Sequence, residues 1–346
     1  MKKVRSVLWF DDEFDDRQPQ IRLVAKSLGL KLINAWDVGQ GGKGRDSWPN
    51  VVEKCIDKCQ GQMISLIVVD DNLSINSKGT KSFDKGSSLC GALRERFKDV
   101  PIVGVSNAEL SLIGREQMEE YSYFWKFLDI KKGRSIAMLR SLVKGFEDLR
   151  RLGGRPCEEA VLALMNVPKV SVDTFRKIIP VALRSGNLSG NARAVFKWLD
   201  EEVFAFQGVL VDSMNIASMV GLKEDYFLKK IASKWLCGCE YKGVFSSFWG
   251  TWFWRQEALT ALAKAAKDYG AMELSHYCAA LAPKEKSQWA VCANCKQPYT
   301  ELAADAERNG AWENRVPAHR KCVVDEDVPH PIFFNSKYVI AKGGRR

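Results

Sequence analysis

The sequence predicts an α/β protein: a doubly wound, five-stranded parallel sheet, followed by a mainly α-helical region and a small cysteine–histidine module. Three observations predict it. Over residues 1–151, short apolar runs alternate with segments of helical periodicity, the pattern of a parallel sheet with helices on both faces. Over residues 157–285, nearly every periodic segment is helical. Residues 286–346 change character and carry Cys-x-x-Cys and His-x-x-Cys. These three stretches are the expected domains, with "LGGRP" at 152–156 as the hinge after the first.

"VRSVLWF" is a short apolar run with β-branched and aromatic members, and reads as a buried strand. "IRLVAKSLGL" has helical spacing and stops near Gly29. "KLINAW" reads as a second strand, "GQGGKGRDSWPN" as a loop, and "VVEKCIDKC" as a helix. "MISLIVVDDN" carries the strongest strand signal of the chain, with Leu66, Ile67, Val68 and Val69 in succession. A longer loop, "NLSINSKGTKSFDKG", leads to the helical "SSLCGALRERF". "VPIVGVSN" is a fourth strand, "EQMEEY" a helix, "SYFWKFL" a fifth strand and "RSIAMLRSLVKGFEDLRRL" a long amphipathic helix. Beyond the hinge, "EEAVLALM", "VDTFRKIIPVALRS", "ARAVFKWLDEEVFAF" and "EALTALAKAAKDYGAMELSHYCAALA" are helical, interrupted by the strand-like "EYKGVFSSFWGTWFW".

Bulk properties narrow the class. With 346 residues, 46% hydrophobic and 27% charged, the chain has the profile of a soluble globular protein able to bury a sizeable core. No apolar run approaches the roughly 18 residues of a membrane span. The apolar stretch Ser6–Phe10 is too short for a secretion signal. The expected compartment is therefore the cytoplasm, where the ten cysteines are thiols or metal ligands rather than disulfides. The net charge of +10 is spread along the chain, with a small basic tail at "KGGRR". It fits a solvated lysine-rich surface and permits an acidic partner such as nucleic acid without requiring one.

The chemistry collects at the carboxyl ends of the strands, where open α/β sheets bind their ligands. Strand one ends in Asp11 and Asp12, strand three in Asp70 with Asp71 beside it, and strand four in Ser106. Strand five carries Tyr123 and, three residues on, Lys126. So many acids together require a compensating cation. Asp11, Asp12 and Asp70 offer hard oxygen donors suited to Mg²⁺. A carboxylate nucleophile, Mg²⁺ and a lysine form a constellation for accepting a phosphoryl group on an aspartate.

This ordered set resembles the receiver domain of two-component response regulators, across residues 4–150. "FDDE" resembles that family's acidic pair, "LIVVDDN" its phosphoacceptor strand, "IVGVS" its strand ending in Ser or Thr, and "YFWKF" its aromatic followed by lysine. The resemblance implies a flavodoxin-like fold. It implies Mg²⁺ at Asp11, Asp12 and Asp70, and Asp70 as phosphoacceptor. Ser106 would grip the phosphoryl group, Lys126 would bridge to it, and Tyr123 would be the switching aromatic. Asn72 would line the pocket. A partner histidine kinase or another partner protein is implied as well. The chain departs from the family in having Phe127 where a proline follows the lysine, and in the long segment after Asp70. A pseudo-receiver that keeps the acids, docks to an ATPase or kinase and is never phosphorylated therefore stands as the alternative.

At the other end, Cys292, Cys295, His319 and Cys322 supply thiolate and imidazole ligands in two close pairs, a set that selects Zn²⁺. Four protein ligands close the coordination sphere, so the expected role is structural, in a treble-clef-like or related finger. Asp325, Asp327 and His330 suggest a nuclease only weakly beside a solvated acidic loop. Cys237 and Cys239 have no partners at metal spacing. In between, Ala217, Gly221 and Phe227 in "NIASMVGLKEDYFLKKIASKWL" resemble a helix-turn-helix, with Lys223, Lys229, Lys230 and Lys234 available to phosphates. Glu224 and Asp225 at the start of its second helix oppose DNA binding. Trp249, Trp252 and Trp254, with Trp235 upstream, suit core packing or a protein interface better than base stacking. No Walker-type loop, Gly-x-Ser-x-Gly or kinase set occurs. The expectation is a signalling protein rather than an enzyme, its receiver-like part governing a helical and zinc-bearing output.

Overall fold

The computed structural model describes residues 4–39, 47–59, 61–77, 80–108, 118–205, 208–267, 273–305 and 315–323. The chain forms two compact units. One takes residues up to Leu164 together with Pro180–Lys197; the other takes Met165–Ile179 and the chain from Trp198 onward.

The first unit is the doubly wound sheet. Its strands are β1 (Arg5–Phe10), β2 (Lys31–Asn34), β3 (Met63–Asp70), β6 (Ile102–Ser106) and β7 (Tyr123–Lys126). They lie in the order β2-β1-β3-β6-β7 and every pairing is parallel. In β3 every residue after Met63 is buried, as a central strand covered on both faces requires. The chain runs from β1 outward to β2, then crosses back to β3 and onward. Helix α1 (Phe14–Leu28) packs with the long helix Gly133–Arg151, while α3 (Trp48–Lys58) packs with α4 (Gly86–Arg96). Trp48, Val51, Val52 and Cys55 of α3 and Leu89, Cys90 and Leu93 of α4 share one buried cluster with Leu8, Phe10, Ile67 and Val69 of the sheet. Each large side chain fully removed from water there contributes about 1.5–3 kcal/mol.

The element boundaries have local causes. Helix α1 stops at Gly29, whose φ of 67° suits a residue without a side chain and whose N–H reaches the carbonyls of Ala25 and Lys26. Strand β2 is shorter than its sequence suggests, because Ala35–Gly39 turns into a helical segment, α2. Trp48, Pro49 and Asn50 open α3 rather than ending a loop; Pro49 is tolerated because the first helical N–H groups have no partner within the helix. Residues 40–46 of that expected loop lie outside the described residues, as do 116 and 117 of the expected helix "EQMEEY". The segment after Asp70, expected as a loop, is an antiparallel hairpin of β4 (Asn72–Ser77) and β5 (Thr80–Lys85). Strand β7 ends at Lys126, where Phe127–Ile130 forms a helical turn.

The second unit is mainly helical. Strands β8 (Leu210–Asp212) and β9 (Trp252–Trp254) pair antiparallel. Trp252 and Trp254 are buried, and the Phe204 ring stacks on Trp249 at 3.9 Å and meets Trp252 edge-on at 5.0 Å. The tryptophan-rich segment thus forms part of a core. Helix Ser213–Met219 is capped by Asp212, whose carboxylate accepts from the Asn215 N–H at 2.9 Å. The turn follows at Gly221, and helical residues 224–235 run through a wider π turn at Phe227–Ala232. Strands β10 (Leu302–Asp305) and β11 (Arg315–Ala318) form a hairpin leading into the short helix Arg320–Val323. All ten cysteines are free thiols. No helix among the described residues is long and apolar enough to cross a membrane.

Candidate functional site

Register decides what meets at the strand tips. Phe10 pairs with Val69, so Asp11 follows β1 beside Asp70 at the end of β3. Asp70 pairs with Val105, which brings Ser106 to the next tip, and Ser106 pairs with Lys126. The cluster lies between β1 and β3, where the strand order reverses and the connections depart to opposite faces. That is where a doubly wound sheet leaves a crevice. Ligand oxygens of Asp11, Asp12 and Asp70 lie within 4.8 Å of one another. Asp11 and Asp70 are buried and Asp12 half-buried.

A cation already sits among them. The Arg17 guanidinium, one turn into α1, donates through Nη1 to both oxygens of Asp11 at 3.2 Å and to Asp70 Oδ2, and through Nη2 to Glu13 Oε2. Its plane lies over the Phe127 ring, 4.8 Å from the centroid. Backbone N–H groups complete the shell: Glu13 donates to Asp11 Oδ1 at 2.8 Å and Asn72 to Asp70 Oδ1 at 3.0 Å. The Ser106 hydroxyl accepts from the Ala108 N–H at 3.2 Å.

Burial dominates the electrostatics of this pocket. It pushes the Asp70 carboxyl up to about 7, with the Asp11 charge adding to the effect and the Asn72 N–H and Arg17 opposing it. Asp11 is likewise raised by burial, against Arg17 and the Glu13 N–H. Burial works against the charge of Arg17, yet Asp11, Asp70 and Glu13 together hold its pKa above the ordinary value. Two desolvated carboxylates and one guanidinium leave a residual demand for positive charge. The donor set, three oxygen ligands of one hard type, fits Mg²⁺.

Sequence reasoning missed two of the residues here. Arg17 has only a local signal, its i,i+4 spacing from Glu13. Tyr121 is buried, and its hydroxyl donates to Asp71 Oδ1 at 2.9 Å. Tyr123 pairs with Val103, three residues short of the tip; it is half-buried, with its ring 4.3 Å from that of Trp125. Gly86 packs so closely that a Cβ there would fall 2.2 Å from the Asp70 carbonyl oxygen and 2.8 Å from the Tyr121 hydroxyl.

In the second unit, Cys292, Cys295, His319 and Cys322 bring their ligand atoms within 4.8 Å of one another. Cys292 and Cys295 lie in a turn where the Lys296 N–H returns to the Cys292 carbonyl at 2.9 Å and Lys296 takes a φ of 61°. His319 precedes the short helix Arg320–Val323 and Cys322 lies on it. The His319 Nε2 is 2.7 Å from the Pro298 carbonyl oxygen, which makes Nε2 the protonated nitrogen and leaves Nδ1 facing Cys295 at 3.1 Å and Cys322 at 3.9 Å. Burial raises the Cys292 thiol, but N–H groups of Cys295, His319 and Asn294 outweigh it and bring the pKa down to about 7. Three soft sulfur ligands, one oriented imidazole and a turn–hairpin–helix frame fit Zn²⁺.

The remaining expected features divide. Ala217 lies on the helix Ser213–Met219 and Gly221, with a φ of 72°, in the turn after it; Lys223, Lys229, Lys230 and Lys234 are exposed. Cys237 is exposed and Cys239 half-buried, and neither joins a metal-type cluster among the described residues. Asp325, Asp327, His330 and the basic tail lie outside the described residues.

No protein-family model matches the sequence, and no curated protein matches it. Among solved structures, a response regulator protein from Burkholderia pseudomallei with a phosphorylated aspartic acid, calcium ion and citrate is similar at 14% identity. The match covers 57% of this chain and 98% of that one, with a TM-score of 0.26. Superposition at that score says nothing of this chain's chemistry; strand order and pairing carry the fold.

Proposed function

We propose that the protein is a phosphorylation-controlled signalling protein whose phosphoacceptor is Asp70. One observation carries this reading: the ligand oxygens of Asp11, Asp12 and Asp70 converge within 4.8 Å, on the tips next to Ser106 and Lys126. An Asp70 carboxylate oxygen attacks the phosphorus of a phosphoryl donor, either a phosphohistidine on a partner kinase or a small acyl phosphate. The bond from phosphorus to the donor's nitrogen or oxygen breaks, and the donor leaves with that electron pair. Ser106 and Lys126 bind the transferred group's oxygens. Asp11, Asp12 and Asp70 would hold Mg²⁺, which when bound would supply charge neutralisation at the phosphoryl group. The chain is a substrate of its donor and not an enzyme acting on others. Cys292, Cys295, His319 and Cys322 hold a structural Zn²⁺ in the output unit.

Intact mass after incubation with Mg²⁺ and acetyl phosphate tests this. The expected result is one base-labile phosphoryl group, absent from Asp70→Asn. No adduct, under conditions that load a control receiver, refutes it. The bonds from Arg17 to both Asp11 and Asp70 favour a second reading, a pseudo-receiver that docks to a partner ATPase or kinase without phosphotransfer. Binding of DNA by the helix pair around Gly221 is a third possibility for the output, tested by a salt-dependent shift of duplex DNA.

A further inference from the structure

Arg17 has no part in the phosphoacceptor scheme, yet its guanidinium contacts Asp11, Asp70 and Glu13 at the acid pocket. Its Nη1 serves both oxygens of Asp11 and one of Asp70. Those are the lone pairs a divalent ion would use. Mg²⁺ needs its oxygens at about 2.0–2.1 Å in near-octahedral order. A guanidinium hydrogen-bonded to the same oxygens would place a second cation within a few ångströms, in a site where charges interact at an effective dielectric of about 20. Sharing these oxygens would set the two cations against each other at close range.

The rest of the Arg17 surroundings suggests where it goes. Its side chain is only 13% exposed, so it is not a surface charge that happens to lie nearby. Glu13, 56% exposed, already holds the second nitrogen. The Phe127 face gives the guanidinium a surface that does not depend on the aspartates. Rotation about the outer side-chain bonds can keep Glu13 and Phe127 as partners while releasing Asp11 and Asp70.

We propose that Arg17 is the resident counter-ion of the pocket and sets its metal affinity: divalent ions bind by exchange, displacing the Arg17 guanidinium from Asp11 and Asp70 toward Glu13 and solvent. The inference rests on the metal reading of the pocket given above.

Calorimetric titration of Mg²⁺ into the full chain and into Arg17→Met tests the exchange. Methionine keeps an unbranched apolar stem and removes the charge. The expected result is tighter binding by the variant, about tenfold or more, because no cation has to leave. Equal or weaker binding by Arg17→Met overturns the inference and leaves the metal site standing. No binding by either protein overturns both. Should Arg17→Met fail to fold, the wild-type chain still decides. The Arg17 Nη1 protons, which donate to Asp11 and Asp70, should shift on saturation with Mg²⁺; resonances that do not respond overturn the exchange.

Discussion

Replacing Tyr121 by phenylalanine isolates one hydrogen bond beneath the pocket. Tyr121 and Asp71 are 4% and 2% exposed, and the hydroxyl–carboxylate distance is 2.9 Å. The ring contact with Phe124, 5.3 Å between centroids, survives the change. What is lost is a hydrogen bond to a buried charged group, about 1.5–3 kcal/mol. Lys85 lies 3.9 Å from the same carboxylate but is 54% exposed, so its screened attraction replaces little of it. The expected loss is therefore about 2 kcal/mol, confined to the first unit. Native-state hydrogen exchange of the Ile102–Ser106 amides reports that unit alone. A loss below about 0.5 kcal/mol would refute the reasoning, because it would mean that Asp71 does not depend on this donor.

Gly86→Ala forces a methyl group against the Asp70 carbonyl and should cost about 1–3 kcal/mol by overpacking, measured by urea unfolding. Magnesium affinity should fall as the pH drops through about 7, because Asp70 then holds a proton the ion must displace; a titration series flat between about pH 5.5 and 8 would contradict it. The same shift has a sign for stability. Between the ordinary carboxylate value of 3.8 and about 7 the folded state keeps a proton the unfolded state has lost. The contribution of Asp70 to stability therefore declines as the pH rises through that window, and added Mg²⁺ should offset the decline at its upper end. Wild-type protein should carry about one equivalent of zinc and Cys292→Ser very little, by elemental analysis.

The sheet was legible because buried parallel strands must be apolar runs and the helices between them must be amphipathic. Leu66–Val69 could hardly be anything but a central strand. The acids were legible because a charge that directly ends such a run lands at a tip. Arg17 was not, since its meaning depends on α1 folding back over the β1 tip, and no periodicity in the sequence shows that. Tyr121 and Tyr123 lie two residues apart and have the same parity; only the start of β7 at Tyr123 separates a buried hydroxyl near Asp71 from a half-buried ring. The hairpin after Asp70 was hidden by Asn, Ser, Lys and Gly, residues that describe a loop equally well.

The helix pair around Gly221 and the cysteine–histidine module make one argument rather than two. Asp212, which caps helix Ser213–Met219, is held bidentately by Arg315 of β11 at 2.7 and 2.9 Å. Asn215 on that helix accepts from the Ala303 N–H of β10 at 3.1 Å, and the Ser218 carbonyl accepts from the Thr300 hydroxyl at 2.8 Å. The turn is held as well: the Gly221 carbonyl accepts from the Ala290 N–H, and the Lys223 N–H donates to the Gln288 carbonyl. A hairpin of four-residue strands has too little core to keep these bonds in register unaided. Closing Cys292, Cys295, His319 and Cys322 around an ion would fix the hairpin, and through Arg315, Thr300 and Ala303 the angle at which the second helix presents Lys229, Lys230 and Lys234. A partner bound through that helix should therefore be lost in Cys292→Ser, although none of Cys292, Cys295, His319 and Cys322 lies on it.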